Sequence, residues 1–99
     1  MRFLLALLPL AALAACGPVQ STGALIDADV QIEAARSAGA ATAAPYEFTA
    51  AEAYLHKARE VAGYSRYDEA TAYASKARDI ATDAKKKALA ASNRPTETP

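Results

Sequence analysis

The sequence predicts an all-α protein, a small antiparallel bundle of three helices that follows a signal peptide. Two observations favour this fold class. The 99 residues include 28 Ala, the residue with the highest helix propensity. Apolar residues also recur at alternating spacings of three and four, which is typical of one helix face, and the sequence has no strand-like alternation. We expect the helices at roughly 24–43, 49–62 and 66–91.

The N-terminal segment has the layout of a signal peptide. Arg2 carries a positive charge, an apolar run follows from Phe3 to Leu13, and small residues precede Cys16. The apolar run is shorter than the roughly 20 residues that a membrane-spanning helix needs. Residues 1–15 are therefore predicted to be a signal peptide.

The end of this segment, Leu13-Ala14-Ala15-Cys16, resembles the lipobox of bacterial lipoproteins. The resemblance implies cleavage before Cys16, a diacylglyceryl thioether on its sulfur, and acylation of the new amino group with a chain such as palmitate. The alternative is an ordinary secretory signal with a chance Cys. By resemblance to Gram-negative lipoproteins, Gly17 implies sorting to the outer membrane. We expect an envelope protein held by lipid at the periplasmic face of that membrane.

The start of the mature chain is predicted to be irregular. Residues 16–23 are expected to form a flexible, lipidated tether, because Gly and Pro disfavour helix there. The first helix should end before Pro45, whose ring disfavours helical geometry at the preceding residue. Its apolar face is predicted to consist of Leu25, Ala28, Ile32, Ala35 and Gly39.

The second helix has start and stop signals of its own. Thr49 and Glu52 have the spacing of a capping box, and Gly63 is a natural C-terminal cap. Its apolar face is predicted to include Ala51, Tyr54, Ala58 and Val61.

The third helix has the most regular pattern. Its seam is predicted to consist of Tyr67, Ala70, Ala74, Ala77, Ala81, Ala84 and Ala88. Small side chains let a neighbouring backbone approach closely, but each buries little area, so a second chain is expected to cover the exposed side of this helix. Residues 92–99 are predicted to be a disordered tail.

Two family resemblances extend over the helical region. Residues 54–77 resemble a single tetratricopeptide hairpin in the size and spacing of their apolar residues. The order of an Ala-rich helix, Ala44-Pro45-Tyr46-Glu47-Phe48, and then residues 53–58 and 67–70 resembles a family of short bacterial envelope lipoproteins, the domain of unknown function DUF4398. This resemblance implies a helical fold and an envelope location, and it implies no mechanism.

The composition excludes several classes of function. Eleven basic and eleven acidic residues leave the chain neutral, which argues against nucleic acid as a partner. A single Cys and a single His cannot supply the usual ligands of a zinc site, so neither a metal nor another cofactor is expected. His56 lies one helical turn from Glu52 and from Glu60, and this trio is better explained as a solvated helix face. The chain has no catalytic signature and is not expected to be an enzyme.

Two functions stay open after these exclusions. The first is a non-catalytic, lipid-anchored envelope protein that acts through helix-mediated contacts with an envelope protein or with itself. The alternative is a small module that binds peptidoglycan or another ligand through a cluster of tyrosines. The interaction surface is predicted to include Tyr54, Tyr64, Tyr67 and Tyr73, although packing in an Ala-rich core also accounts for large rings.

Overall fold

The computed structural model describes residues 2–94 and, from Gly17 onward, their side chains. The helices in this range are α1 (Arg2–Ser37), α2 (Ala40–Ala43), α3 (Pro45–Gly63) and α4 (Tyr67–Ser92). No strand occurs among these residues, so the all-α prediction is confirmed. The predicted count of three helices is not exact, because the single turn α2 separates α1 from α3. The side chain of Cys16 and residues 95–99 of the predicted tail lie outside the described residues.

The predicted tether is the main error in the sequence-based organisation. Helix α1 continues through Gly17, Pro18 and Gly23, where an irregular segment was expected. Packing explains the difference. A Cβ on Gly17 would lie 3.5 Å from Cδ2 of Tyr67 on α4, and Ser21 is only 2% exposed. Tertiary burial therefore overrides the low helix propensity of the segment.

A glycine divides the first predicted helix in two. Gly39 has φ 86° and ψ 20°, a left-handed conformation that costs glycine little, and its N–H donates to the carbonyl of Arg36. Helix α1 consequently ends at Ser37, and Gly39 is exposed instead of contributing to the apolar face.

Proline, and not the predicted capping box, begins the next helix. Pro45 is at the first turn of α3, where its fixed φ suits the helix and its missing N–H costs nothing. Helix α3 thus begins before Thr49, and no side chain caps it. Gly63 is the last residue of α3, and the left-handed residue of the following turn is Ser65, with φ 62°.

The core is arranged around α4, which packs along both α1 and α3, whereas α1 and α3 contact each other less. The alanines of the predicted seam of α4 are confirmed as buried, whereas its first member, Tyr67, is half-buried. The seam alanines are at most 1% exposed: Ala70, Ala74, Ala77, Ala81, Ala84 and Ala88. The side chains buried on the other long helices are Ala28, Ile32 and Ala35 of α1, and Phe48, Ala51, Leu55, Ala58 and Val61 of α3. The core is thus built mostly from small side chains, with four larger aliphatic or aromatic ones.

Ion pairs show the relative directions of the helices. Gly17 of α1 lies beside Tyr67 of α4, and further along both helices Asp27 of α1 lies 3.5 Å from Arg78 of α4, so α1 and α4 are parallel. Helix α3 is antiparallel to both. The pairs that establish this are Lys87–Glu47 with α4, and Arg59–Asp29 and Arg36–Glu52 with α1.

Candidate functional site

The structure separates the four predicted tyrosines. Tyr54 of α3 and Tyr73 of α4 stack with ring centroids 6.2 Å apart and an interplanar angle of 26°. Tyr64 lies in the turn after α3 and is 73% exposed. Tyr67 is half-buried at the start of α4, beside Gly17 of α1. The tyrosines therefore do not form one surface.

A groove beside the stacked pair is the first candidate site. It has a volume of ≈ 370 Å³ and includes a tyrosine outside the predicted interaction surface, Tyr46, which is 81% exposed. We call it the tyrosine groove and define it by its lining: Tyr46, Ala50, Ala53, Tyr54, Lys57 and Tyr73. Ala50 and Ala53 lie between Tyr46 and Tyr54 on one face of α3, and Tyr73 joins this face from α4.

Two lysines give the tyrosine groove its charge. Lys57 lies in the lining, and Nζ of Lys76 lies 4.9 Å from the centre of the Tyr54 ring, within the range of a cation–π interaction. The six residues that line the groove include no carboxylate. The groove therefore offers aromatic faces and positive charge to a ligand.

A second depression, between α1 and α3, is occupied by ion pairs. Its volume is ≈ 230 Å³, and its charged lining includes Asp29 with Arg59 at 3.3 Å and Arg36 with Glu52 at 3.8 Å. His56 lies at the same depression and is exposed. In the part of the chain that the structure describes, no group of His, Cys and acidic side chains could hold a metal ion.

One ion pair joins the far end of α4 to the start of α3. Nζ of Lys87 donates to Oε1 of half-buried Glu47, and this hydrogen bond lowers the pKa of Glu47 and raises the pKa of Lys87. Asp83 contributes from one turn away on α4, at 3.6 Å from Lys87. The arrangement links α3 to α4.

The exposed side of α1 carries the second candidate site. Val19, Ile26 and Val30 are 70%, 60% and 55% exposed, and we call these three residues the outer row of α1. At 100° per residue they lie on the side of the helix opposite buried Ala28 and Ile32. The row therefore contributes little to the core of the bundle.

The exposed side of α4, where a second chain was expected, is polar. Asp68, Asp79 and Lys86 are exposed on it, among small residues such as Ala72. The exposed apolar row lies instead on α1. The residues of the outer row are spaced by seven and four in the sequence. This helical spacing was not predicted because Val19 was expected to lie in an irregular tether.

None of the helices in residues 2–94 combines the length and the apolar character that a bilayer crossing requires.

A family model described as "Domain of unknown function (DUF4398)" matches residues 23–96, which is most of the helical region. No curated protein matches the chain, and no solved structure does.

Proposed function

Because the chain belongs to the DUF4398 family, whose description gives no activity, we propose a function from its surfaces and its N-terminal sequence. The protein is a non-catalytic, lipid-anchored component of the bacterial cell envelope that acts through helix-mediated contacts with protein. Its place is the periplasmic face of the outer membrane.

The outer row of α1 is the observation that carries this proposal. Val19, Ile26 and Val30 leave three β-branched side chains in water along one side of one helix. Aligned apolar exposure of this kind is typical of a surface that a partner covers. The tightly packed alanine seam of α4 cannot serve this purpose, because it is already buried within the bundle.

The anchor is supported by the sequence that precedes the row. A signal peptide, a lipobox-like segment and the only Cys of the chain occur together at residues 1–16. Each acyl CH₂ contributes about 0.8 kcal/mol of membrane affinity, so two or three acyl chains hold a small protein on a bilayer. Val19 follows Cys16 by three residues, which brings the row close to the membrane.

Lipidation is tested with the full chain in a Gram-negative host that is supplied with a labelled fatty acid. We expect label on the protein in the outer-membrane fraction and a mass that shows loss of residues 1–15 with added acyl chains on Cys16. Cys16→Ser should carry no label and accumulate as the precursor. Soluble wild-type protein with an unmodified thiol would contradict the anchor.

The contact function is tested with a photo-crosslinking amino acid at Ile26. We expect adducts with protein in intact envelopes, because this residue lies in the middle of the outer row. The matched control is the same amino acid at Ala72, on the exposed polar side of α4. Equal or no adduct formation at the two positions would show that the outer row is not a contact surface.

The tyrosine groove favours a second candidate function, the binding of an anionic glycan such as peptidoglycan. The observation behind it is the combination of exposed Tyr46, the stacked pair and two lysines. Retention of the protein on purified peptidoglycan should fall in Tyr46→Ala and persist in Tyr64→Ala, which changes another highly exposed ring outside the groove. Unchanged retention in Tyr46→Ala would remove this candidate.

A further inference from the structure

We propose that the outer row of α1 is the interface between two copies of this chain, packed in parallel about a twofold axis. The inference rests on the proposed function, because two chains anchored through Cys16 in one leaflet present their α1 helices in the same direction. Each residue of the row then faces the same residue of the second copy.

The shape of the row suits a close helix pair. Gly23 lies between Val19 and Ile26 on the same side of α1, and a Cβ placed on Gly23 would meet nothing within 4 Å. Two helices can approach closely where a glycine leaves the surface open. Val19 and Ile26 then pack above and below that point, and Val30 extends the contact by one further turn.

The charges beside the row allow a second copy to approach. The three carboxylates that flank it are Asp27, Asp29 and Glu33, and each is already paired within the chain. Their partners are Arg78 at 3.5 Å, Arg59 at 3.3 Å, and Arg36 one turn further along α1. Each carboxylate beside the row therefore has a cation next to it, which reduces the repulsion between two copies. Two of these cations are shared, since Arg78 also pairs with Asp79 at 3.0 Å and Arg36 lies 3.8 Å from Glu52.

The size of the row makes the dimer dependent on the membrane. Three side chains supply much less than the about 800 Å² per partner that is usual for a stable interface. Confinement of both chains to one bilayer raises their effective concentration and compensates for a weak contact. We therefore expect dimers of the lipidated protein in envelopes and monomers of the detergent-extracted protein after dilution.

The inference is tested with single cysteines in the full chain, whose lipidation consumes the only native thiol. Val19→Cys, Ile26→Cys and Val30→Cys should each give a disulfide-linked dimer when envelopes are treated with a mild oxidant. Ala72→Cys, on the exposed side of α4, is the matched control and should give at least tenfold less. Adding Val30→Asp to Ile26→Cys should reduce the dimer tenfold or more, since Val30 lies outside the core and its replacement leaves the bundle folded.

The three positions distinguish the outcomes. Dimers at Ile26→Cys without dimers at Val19→Cys and Val30→Cys would indicate an antiparallel pair and overturn the parallel arrangement. Similar yields at Ile26→Cys and Ala72→Cys would indicate random collision and overturn the interface. If a photo-crosslinker at Ile26 captures a different protein while no cysteine gives a dimer, the second copy is the wrong occupant but the contact function remains.

Discussion

Each alanine of the α4 seam allows α4 to lie close to its neighbouring helices. The six side chains are at most 1% exposed, and α4 packs along both α1 and α3. A methyl group allows the close backbone approach that a larger side chain would prevent. At these positions the small size of the residue matters more than its modest hydrophobicity.

Enlarging one residue of the seam should therefore destabilise the bundle. We expect Ala77→Leu to lower the free energy of unfolding by about 1–3 kcal/mol, because the added atoms cannot be accommodated without shifting a helix. Ala72→Leu introduces the same side chain on the exposed side of α4 and should have almost no effect. The measurement is urea denaturation followed by circular dichroism. Equal losses for both variants would mean that the burial of the seam is wrong.

The pair of Glu47 and Lys87 should make stability depend on pH. Because the hydrogen bond from Lys87 lowers the pKa of Glu47 in the folded state, its contribution is present above the usual carboxylate range and is lost as the pH falls through the folded pKa. The pKa of Lys87 is raised in the folded state by the same hydrogen bond. The contribution of the Lys87 charge to stability is therefore present below the usual pKa range of lysine and is lost as the pH rises through the folded pKa.

The corresponding experiment compares the wild-type chain with Glu47→Gln. The wild-type chain should have the higher Tm at pH 7, and the difference should disappear at acidic pH, where Glu47 is protonated. In a Lys87→Gln background, the pH-dependent difference produced by Glu47→Gln should be much smaller, because only the backbone hydrogen bond to the Glu47 carboxylate then lowers its pKa. A difference that persists at acidic pH, or that is undiminished by the loss of Lys87, would assign the effect to something other than the pair.

Core residues were easier to predict from the sequence than surface residues. The alanine seam followed directly from its spacing, because burial in a helix repeats with the helical period. The tyrosine groove did not. Tyr46 and Tyr54 both lie on α3, but Tyr73 joins them only through the lateral packing of α3 on α4, which sequence positions do not determine.

At the scale of the element, the end of α1 depends on one residue. Gly39 has φ 86°, a region that is unfavourable for residues with a Cβ, and it separates α1 from α2. Gly63, by contrast, is helical and has nothing within 4 Å of an added Cβ. Gly39 therefore determines where α1 ends, whereas Gly63 occupies an ordinary helical position.

Alanine substitution should have opposite effects at these two positions. Gly39→Ala should destabilise the fold by roughly 1–2 kcal/mol through the left-handed backbone. Gly63→Ala should be neutral or stabilise it by up to about 1 kcal/mol, because alanine loses less backbone entropy in a helix. Thermal denaturation of the two variants is sufficient to compare them. Stabilisation by Gly39→Ala would show that the left-handed turn is absent in solution.

The existence of the long helices was predictable, and their ends were less so. The three-and-four spacing is repeated many times within each helix, whereas an end depends on a single local conformation. Pro45 starts α3 in preference to a plausible capping box, and Ser65 takes the left-handed position that Gly63 was expected to occupy. Helix α1 extends through Gly17 because it packs on α4, a tertiary contact that local propensity does not indicate.

At the scale of the whole molecule, α4 supports the other helices. We expect Ala81→Pro, in the middle of α4, to cost about 3 kcal/mol or more and to remove the helical signal of the whole domain in one transition. Ala91→Pro lies beyond the last seam residue, Ala88, and should affect only the final turn. Circular dichroism at 222 nm measures both. Partial loss of the signal in Ala81→Pro would mean that α1 and α3 form a stable unit without α4.

The parallel arrangement of α1 and α4 also defines a length. The chain passes Gly17 at one end of the bundle and leaves at the other end after Ser92, because α4 runs its 26 residues in the same direction as α1. A helix of that size is about 39 Å long. The bundle thus acts as a spacer: in the proposed lipid-anchored protein, Ser92 lies at the end of the bundle away from Cys16, separated from it by about the length of one helix.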